Sequence, residues 1–300
     1  EDTLALRLVA FGAKDGGFVD NVYGHTPDTS VVYGAGFWPG GFGDLDNSEF
    51  VGKDINDSEI TGYRATAKWD INEDWSATLS YLTQETESGA DNFEDPYVGD
   101  LEVVRFHDDY RDDEYDLYSL TVEADLGFAQ LVSATSYYDR EVEYEQDITA
   151  YQHYWSGIYC QTYDLDPSTY YWYYANPDGS GVVFYPVYCL APTVDGDYLS
   201  TDRETLQQER FTQEFRLSST GETMDWLVGL YYEDSSNAWQ ANFAGVSSND
   251  YQDSISLDYW EFATGQTFPQ GQVAWYSDSD TEWEQTAIFG EGTWHATDKL

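Results

Sequence analysis

The feature that most constrains this chain is a period of two. Over residues 61–71, Tyr63, Ala65, Ala67, Trp69 and Ile71 alternate with Gly62, Arg64, Thr66, Lys68 and Asp70. Side chains of an extended strand point to opposite faces in turn, so one face is apolar and the other polar. The next segment repeats the pattern, with Trp75, Ala77, Leu79 and Tyr81 set against Ser76, Thr78 and Ser80. Between the two lies Asn72-Glu73-Asp74, residues that accept turn geometry. The pair predicts one tight β-hairpin.

The unit recurs. Tyr118, Leu120, Val122, Ala124 and Leu126 alternate with Ser119, Thr121, Glu123 and Asp125, and a turn at Gly127 leads into residues 128–140. Phe211, Phe215 and Leu217 alternate with Arg210, Thr212, Glu214 and Arg216. A Ser219-Thr220-Gly221 turn then precedes Trp226, Val228, Leu230 and Tyr232. Leu4, Leu6 and Leu8 begin a strand at one end, and residues 285–296 form one at the other. The expectation is an all-β chain of about eight antiparallel strands. Its connections are tight on one side and long on the other, near 14–57, 85–114, 147–202 and 237–281. Structureless loops of that length are out of place in a compact soluble domain. They are normal in an outer-membrane barrel, which has short periplasmic turns and long extracellular loops.

Charge excludes several functions. Asp and Glu number 57 against 12 Lys and Arg, a formal net of −45. No basic footprint exists for nucleic acid, nor a polybasic patch for anionic lipid. Low hydropathy with high charge would suggest disorder, but aromatic residues make up 18% of the chain, and disordered segments are poor in them. No apolar run reaches a transmembrane helix, and no signal peptide is visible. The chain opens at Glu1 without an initiator Met, which reads as processing or as a piece of something longer. Cys160 and Cys189 share one polar, aromatic stretch. Two cysteines without CxxC or HExxH spacing suit a single loop-stapling disulfide in an oxidising compartment better than a metal site.

On the polar face of the strands, Arg64, Lys68, Glu123, Arg210, Glu214 and Arg216 read as lumen groups. Trp69, Trp75, Trp226 and Tyr232 at strand ends match an interfacial aromatic girdle on the turn side. A backbone in lipid must pair every N–H and C=O, so alternating strands there imply a closed barrel.

Several segments resemble TonB-dependent outer-membrane receptors. One is Gln213-Glu214-Phe215-Arg216-Leu217-Ser218-Ser219 followed after a turn by Trp226-Leu227-Val228-Gly229-Leu230-Tyr231-Tyr232-Glu233. Others are residues 4–9 with Gly16-Gly17-Phe18-Val19-Asp20-Asn21, then Gly62-Tyr63-Arg64-Ala65 and Ile288-Phe289-Gly290-Glu291. The resemblance implies a 22-stranded barrel closed by an N-terminal plug. Such a receptor admits a scarce ligand (a siderophore, cobalamin, haem or a glycan) with energy delivered through TonB. No plug domain and no TonB box near Glu1 are visible, so residues 1–300 read as a β-barrel portion of a longer receptor. Its surroundings would be outer-membrane lipid, with the loops extracellular and the TonB complex reached through the missing plug.

Ligand capture by the loops is the leading reading of the site. Tyr170, Tyr171, Trp172, Tyr173 and Tyr174, with Trp155 and Tyr185, surround or lie within the span from Cys160 to Cys189. Exposed rings stack on sugars and flat ligands at low entropy cost. The competing reading is that they pack on one another to order a long loop. Arg64, Arg210 and Arg216 are the expected lumen-facing bases, able to receive an anion that the overall field repels. Catalysis is not expected: with 57 acids, carboxylate pairs carry no information, and His25, His107, His153 and His295 are scattered. Two acidic clusters (Asp54, Asn56, Asp57 and Glu59; Asp278, Asp280 and Glu282) raise Ca²⁺. They lack an EF-hand pattern and read more simply as a solvated face. The alternative function is a secreted or surface β-protein that binds glycans through aromatic loops. A third is a surface protein whose loops bind protein partners.

Overall fold

In the computed structural model the described residues are 3–24, 46–96, 98–149, 171–175, 182–186, 199–245 and 273–296. For 171–175, 182–186, 200, 243–245 and 273–276 the description is of the backbone alone. Trp155, Tyr170, Cys160 and Cys189 lie outside the described residues.

The chain is all-β. Eight long strands form one antiparallel sheet: β1 (Leu4–Asp15), β3 (Ser58–Asp70), β4 (Trp75–Ser88), β6 (Tyr110–Asp125), β7 (Gln130–Asp147), β10 (Ser200–Ser219), β11 (Met224–Gly245) and β12 (Val273–Trp294). Their order in the sheet is their order in the sequence, each strand bonded to the one before and the one after. Two short pairs complete the set. β2 (Asp20–Asn21) runs parallel to β5 (Glu102–Val103), and β8 (Tyr171–Ala175) is antiparallel to β9 (Val182–Pro186). Among the described residues β1 pairs only with β3 and β12 only with β11, so both outer edges of the sheet are open.

The connections are polarised. Residues 71–74, 126–129 and 220–223 make tight turns at one end. Asn72 caps the first by accepting from the backbone N–H of Asp74 (2.9 Å) and Trp75 (3.0 Å). Gly127, at φ 80°, sits in the second, where only glycine is free of the Cβ penalty. At the other end the strands run further than their alternation suggests. β4 reaches Ser88, β6 starts at Tyr110, β11 reaches Gly245 and β12 starts at Val273. The acidic trio Asp278, Asp280 and Glu282 therefore belongs to strand β12 rather than to a loop. The reason is physical: past a certain height the apolar face itself turns acidic. The two faces stop contrasting while the backbone ladder continues.

Small packed units sit above the strand tops. Residues 16–24, 46–57, 89–96 and 98–109 bury Val19, Ala90, Val103 and Phe106. Their backbone is tied by buried asparagines. Asn56 Oδ1 accepts from the N–H of Phe18 (2.7 Å) and Val19 (2.8 Å). Asn21 Nδ2 donates to the carbonyls of Phe50 (2.7 Å) and Arg105 (3.0 Å). Asn47 Nδ2 donates to Val22 O at 2.8 Å. Asn56, counted among possible cation ligands above, is thus spent on the backbone.

Candidate ligand-facing surface

The strand register sorts every side chain of the sheet onto one of two faces. On the first, successive rows run straight across the strands. Leu4, Trp69, Ala77, Val122, Ser133, Phe215, Leu230 and Ile288 form one row, each directly opposite the next. Two residues higher come Leu6, Ala67, Leu79, Leu120, Thr135, Gln213, Tyr232 and Thr286. Nearly all the exposed large apolar side chains of the sheet are here, reaching 82% exposure at Leu8 and 81% at Ile288 on the open edges.

Aromatic residues border this apolar band above and below. Trp69 and Tyr63 on β3, Trp75 and Tyr81 on β4, and Trp226 and Tyr232 on β11 each place a Trp at the turn side. In every case the Tyr stands six residues further up the same strand. Leu131 to Tyr137 on β7 and Leu217 to Phe211 on β10 keep the spacing. The upper tyrosines carry their hydroxyls upward. Tyr81 stacks on Tyr118 at 4.8 Å between centroids and donates to Asp116 at 2.7 Å, while Tyr232 donates to Glu284 at 2.8 Å.

Above that border the same face is acidic. Glu85, Glu114 and Glu141 stand directly opposite one another on three neighbouring strands, as do Glu87, Asp112 and Glu143. Asp116, Asp139 and Glu209 form a third such row. Arg203, bound to Glu143, and Lys14, 3.2 Å from Glu59, are the bases on this face.

The opposite face is small, hydroxylic and carries most of the bases. Arg64 and Arg210 share one row, and Arg216 lies on the same face nearer the turns. The register thus sets the three bases expected to face a lumen on one face of the sheet. It also brings Arg7, Arg111 and Arg140 to that face beside Lys68, three bases that the sequence reading had not gathered into the set. Arg140 grips Asp113 with Nε (2.8 Å) and Nη2, and Arg216 Nε meets Glu214 at 2.8 Å. Trp239 Nε1 donates to Glu204 (2.6 Å) and Trp283 Nε1 to Glu233 (2.9 Å). Arg210 Nε is buried without a hydrogen-bond partner. At the turn end, an open groove of about 680 Å³ is walled by Asp70, Glu73, Asp74, Glu123 and Asp125, which disfavours anions there.

Of the expected aromatic site, Tyr171, Trp172, Tyr173 and Tyr174 lie in β8 and Tyr185 in β9. Their backbones pair in a hairpin, Trp172 opposite Tyr185 and Tyr173 opposite Phe184.

A knot of charge joins the loop unit to the top of β7. The N–H of Asp147 donates to Asp109 Oδ1 (2.6 Å), and its carbonyl accepts from Arg105 Nη1 (3.0 Å). Its carboxylate accepts from the N–H of Phe106 and, at 2.7 Å, from that of Thr149. Burial pushes the Asp109 carboxyl up to about 6, against the opposing pull of Arg105, 3.6 Å away. Burial raises Asp202 as well, and the nearby Glu204 carboxylate adds to it. Among the described residues no group of three or more His, Cys, Asp or Glu side chains could hold a metal ion. No helix among them is long and apolar enough to cross a membrane, which leaves crossing by strands open.

Neither a family model nor a curated protein matches the chain. The geometry of the two faces carries the functional reading.

Proposed function

We propose that the sheet is part of the wall of an outer-membrane β-barrel, a portion of a TonB-dependent receptor that captures a scarce ligand and admits it. The apolar face would meet lipid, the hydroxylic face the lumen, and the long connections the outside.

The observation that carries this reading is the slope of the apolar band. Its upper border lies after Ala10 on β1 and Tyr63 on β3. It falls to Tyr81, Tyr118, Tyr137 and Phe211 on the central strands, to Tyr232 on β11 and to Ile288 on β12. The border thus drops three rows from β1 to β12, about 20 Å over about 34 Å of sheet width, an incline of about 30°. A bilayer cuts tilted strands along such a line, and barrel strands tilt by about 35–45°. The lower border, from Trp69 to Trp294, falls the same way. Six residues between borders span about 20 Å along a strand, and ring reach at both ends brings this near the barrel band of about 25 Å. The footprint, on the order of 700 Å², exceeds the largest apolar patch usual on a soluble monomer.

A siderophore, cobalamin, haem or glycan all remain compatible with the aromatic hairpin β8–β9 and the basic face. The test is the intact mass of the native protein in the detergent-extracted outer-membrane fraction. A species roughly twice 34.2 kDa or more is expected. A species of 34.2 kDa in the soluble fraction overturns the reading and promotes the secreted glycan-binding alternative.

A further inference from the structure

Acids outnumber bases almost five to one in this chain, 57 to 12, so a base without a carboxylate partner is the exception. Most bases of the strands conform: Lys14 meets Glu59, Arg111 and Arg140 share Asp113, Arg203 holds Glu143, and Arg216 holds Glu214. On β10 Arg210 forms no ion pair among the described residues. On β1 and β3 Arg7 and Arg64 form none either, and Lys68 touches only Asp70, at 3.7 Å with both side chains half exposed.

The three on β1 and β3 converge. Val9 is opposite Arg64, Arg7 opposite Thr66, and Ala5 opposite Lys68. Arg7 therefore sits on β1 midway between Arg64 and Lys68 on β3, on the same face. Diagonal neighbours of this kind have Cα atoms about 7–8 Å apart, within reach of long side chains meeting over one small ligand. All three are exposed.

Their surroundings are uncharged and rich in donors. The positions next to them on β4 are Thr78, Ser80 and Leu82, and beyond those on β6 stand Thr121, Ser119 and Leu117. Thr66 Oγ1 lies 3.1 Å from Ser80 Oγ. Apart from Asp70 beside Lys68, no carboxylate occupies these neighbouring positions.

We propose that Arg7, Arg64 and Lys68 form a binding site for a multivalent oxyanion on the hydroxylic face of β1 and β3. Two guanidinium forks supply the paired donors that suit phosphoryl or carboxylate oxygens, and Lys68 adds a compact charge. Thr66 and Ser80 complete the set with hydroxyls. The net charge of −45 does not forbid this. The acidic rows occupy the other face, and charges further than about 8 Å are largely screened at physiological salt. The site requires only that this face meet water, so it stands or falls separately from the uptake reading.

The test is calorimetric titration of the full chain, purified as it is extracted, at about 0.15 M salt. Inorganic pyrophosphate and citrate are the two probes, which separate phosphoryl from carboxylate preference. At least one is expected to saturate one site per chain. Arg7→Gln or Arg64→Gln should weaken it about tenfold or more, with Arg7→Lys falling between. Arg203→Gln, on the acidic face, should leave it unchanged. Near-ultraviolet circular dichroism confirms that each variant keeps the fold. The proposal is overturned if neither probe saturates below about 10 mM. Equal weakening by Arg203→Gln and Arg7→Gln also overturns it, because a general charge effect then accounts for binding.

Discussion

Gly229 shows how little room single residues leave on the hydroxylic face. A Cβ there would stand 2.2 Å from Phe289 Cζ, and one at Gly62 would stand 2.3 Å from Phe11 Cζ. Each ring lies over a glycine directly opposite on the neighbouring strand, Phe289 across β11–β12 and Phe11 across β1–β3. The ring covers backbone that glycine leaves bare, a known device for pinning register. Gly229→Ala should push Phe289 off this seat and destabilise by about 1–3 kcal/mol, read as a lower urea midpoint with unchanged slope. Asp109 supports a second residue-scale prediction, and its sign follows from its raised carboxyl. In the folded chain it titrates near 6, and in the unfolded chain near 4. Between those values the folded state holds more protons. Stability is therefore greatest below about 4, falls as pH rises through about 6, and is level beyond. Asp109→Asn should flatten this slope and stabilise the chain at pH 8 by at most about 3 kcal/mol. Thermal midpoints at pH 5 and pH 8 check it; a wild-type midpoint that rises from pH 5 to pH 8 through this group would contradict the assignment.

Single strands were legible in the sequence only as far as their two faces differ. The hairpin of β3 and β4 is written in Tyr63 to Ile71 and Trp75 to Tyr81, because an apolar face alternates there with a polar one. Beyond Tyr81 the positions of the apolar face become Thr83, Glu85 and Glu87, while those of the other face are Leu82, Gln84, Thr86 and Ser88, so the contrast between the faces is lost. The period fades while the ladder continues to Ser88. The charge rows were invisible for another reason: Glu85, Glu114 and Glu141 meet only through register, which pairs residues far apart in sequence. The same holds for Arg7 beside Arg64 and Lys68. These rows set like charges directly opposite, which costs stability. Glu114→Lys turns two repulsive pairs into attractive ones and should stabilise the strand tops by about 0.2–1 kcal/mol per pair. Slower hydrogen exchange of the amides of residues 83–87 and 112–116 is the expected readout. The gain should shrink as salt approaches about 1 M, where the Debye length is about 3 Å.

At the scale of the whole molecule the two faces of one sheet differ in chemistry, one banded with apolar side chains and one hydroxylic, and substitution can ask which solvent each one meets. Leu79 lies mid-band on the apolar face, 57% exposed and flanked across the ladder by Ala67 and Leu120. Ser80, the next residue, points to the hydroxylic face. If lipid covers the first face and water the second, an arginine is costly at one position and nearly free at the other. On a lipid-facing barrel strand that cost is about 2–4 kcal/mol at the bilayer midplane. Leu79→Arg should therefore lower the yield of membrane-inserted protein and its unfolding free energy in lipid. Ser80→Arg, which gives up the contact with Thr66 and joins the bases of β1 and β3, should leave the yield unchanged and cost no more than about 1 kcal/mol. The pair differs by one residue in sequence and by the thickness of the sheet in space, so local propensity cannot explain a difference between them. Equal effects at the two positions would mean that the band at Leu79 is covered by protein or faces water, and the membrane reading would fall.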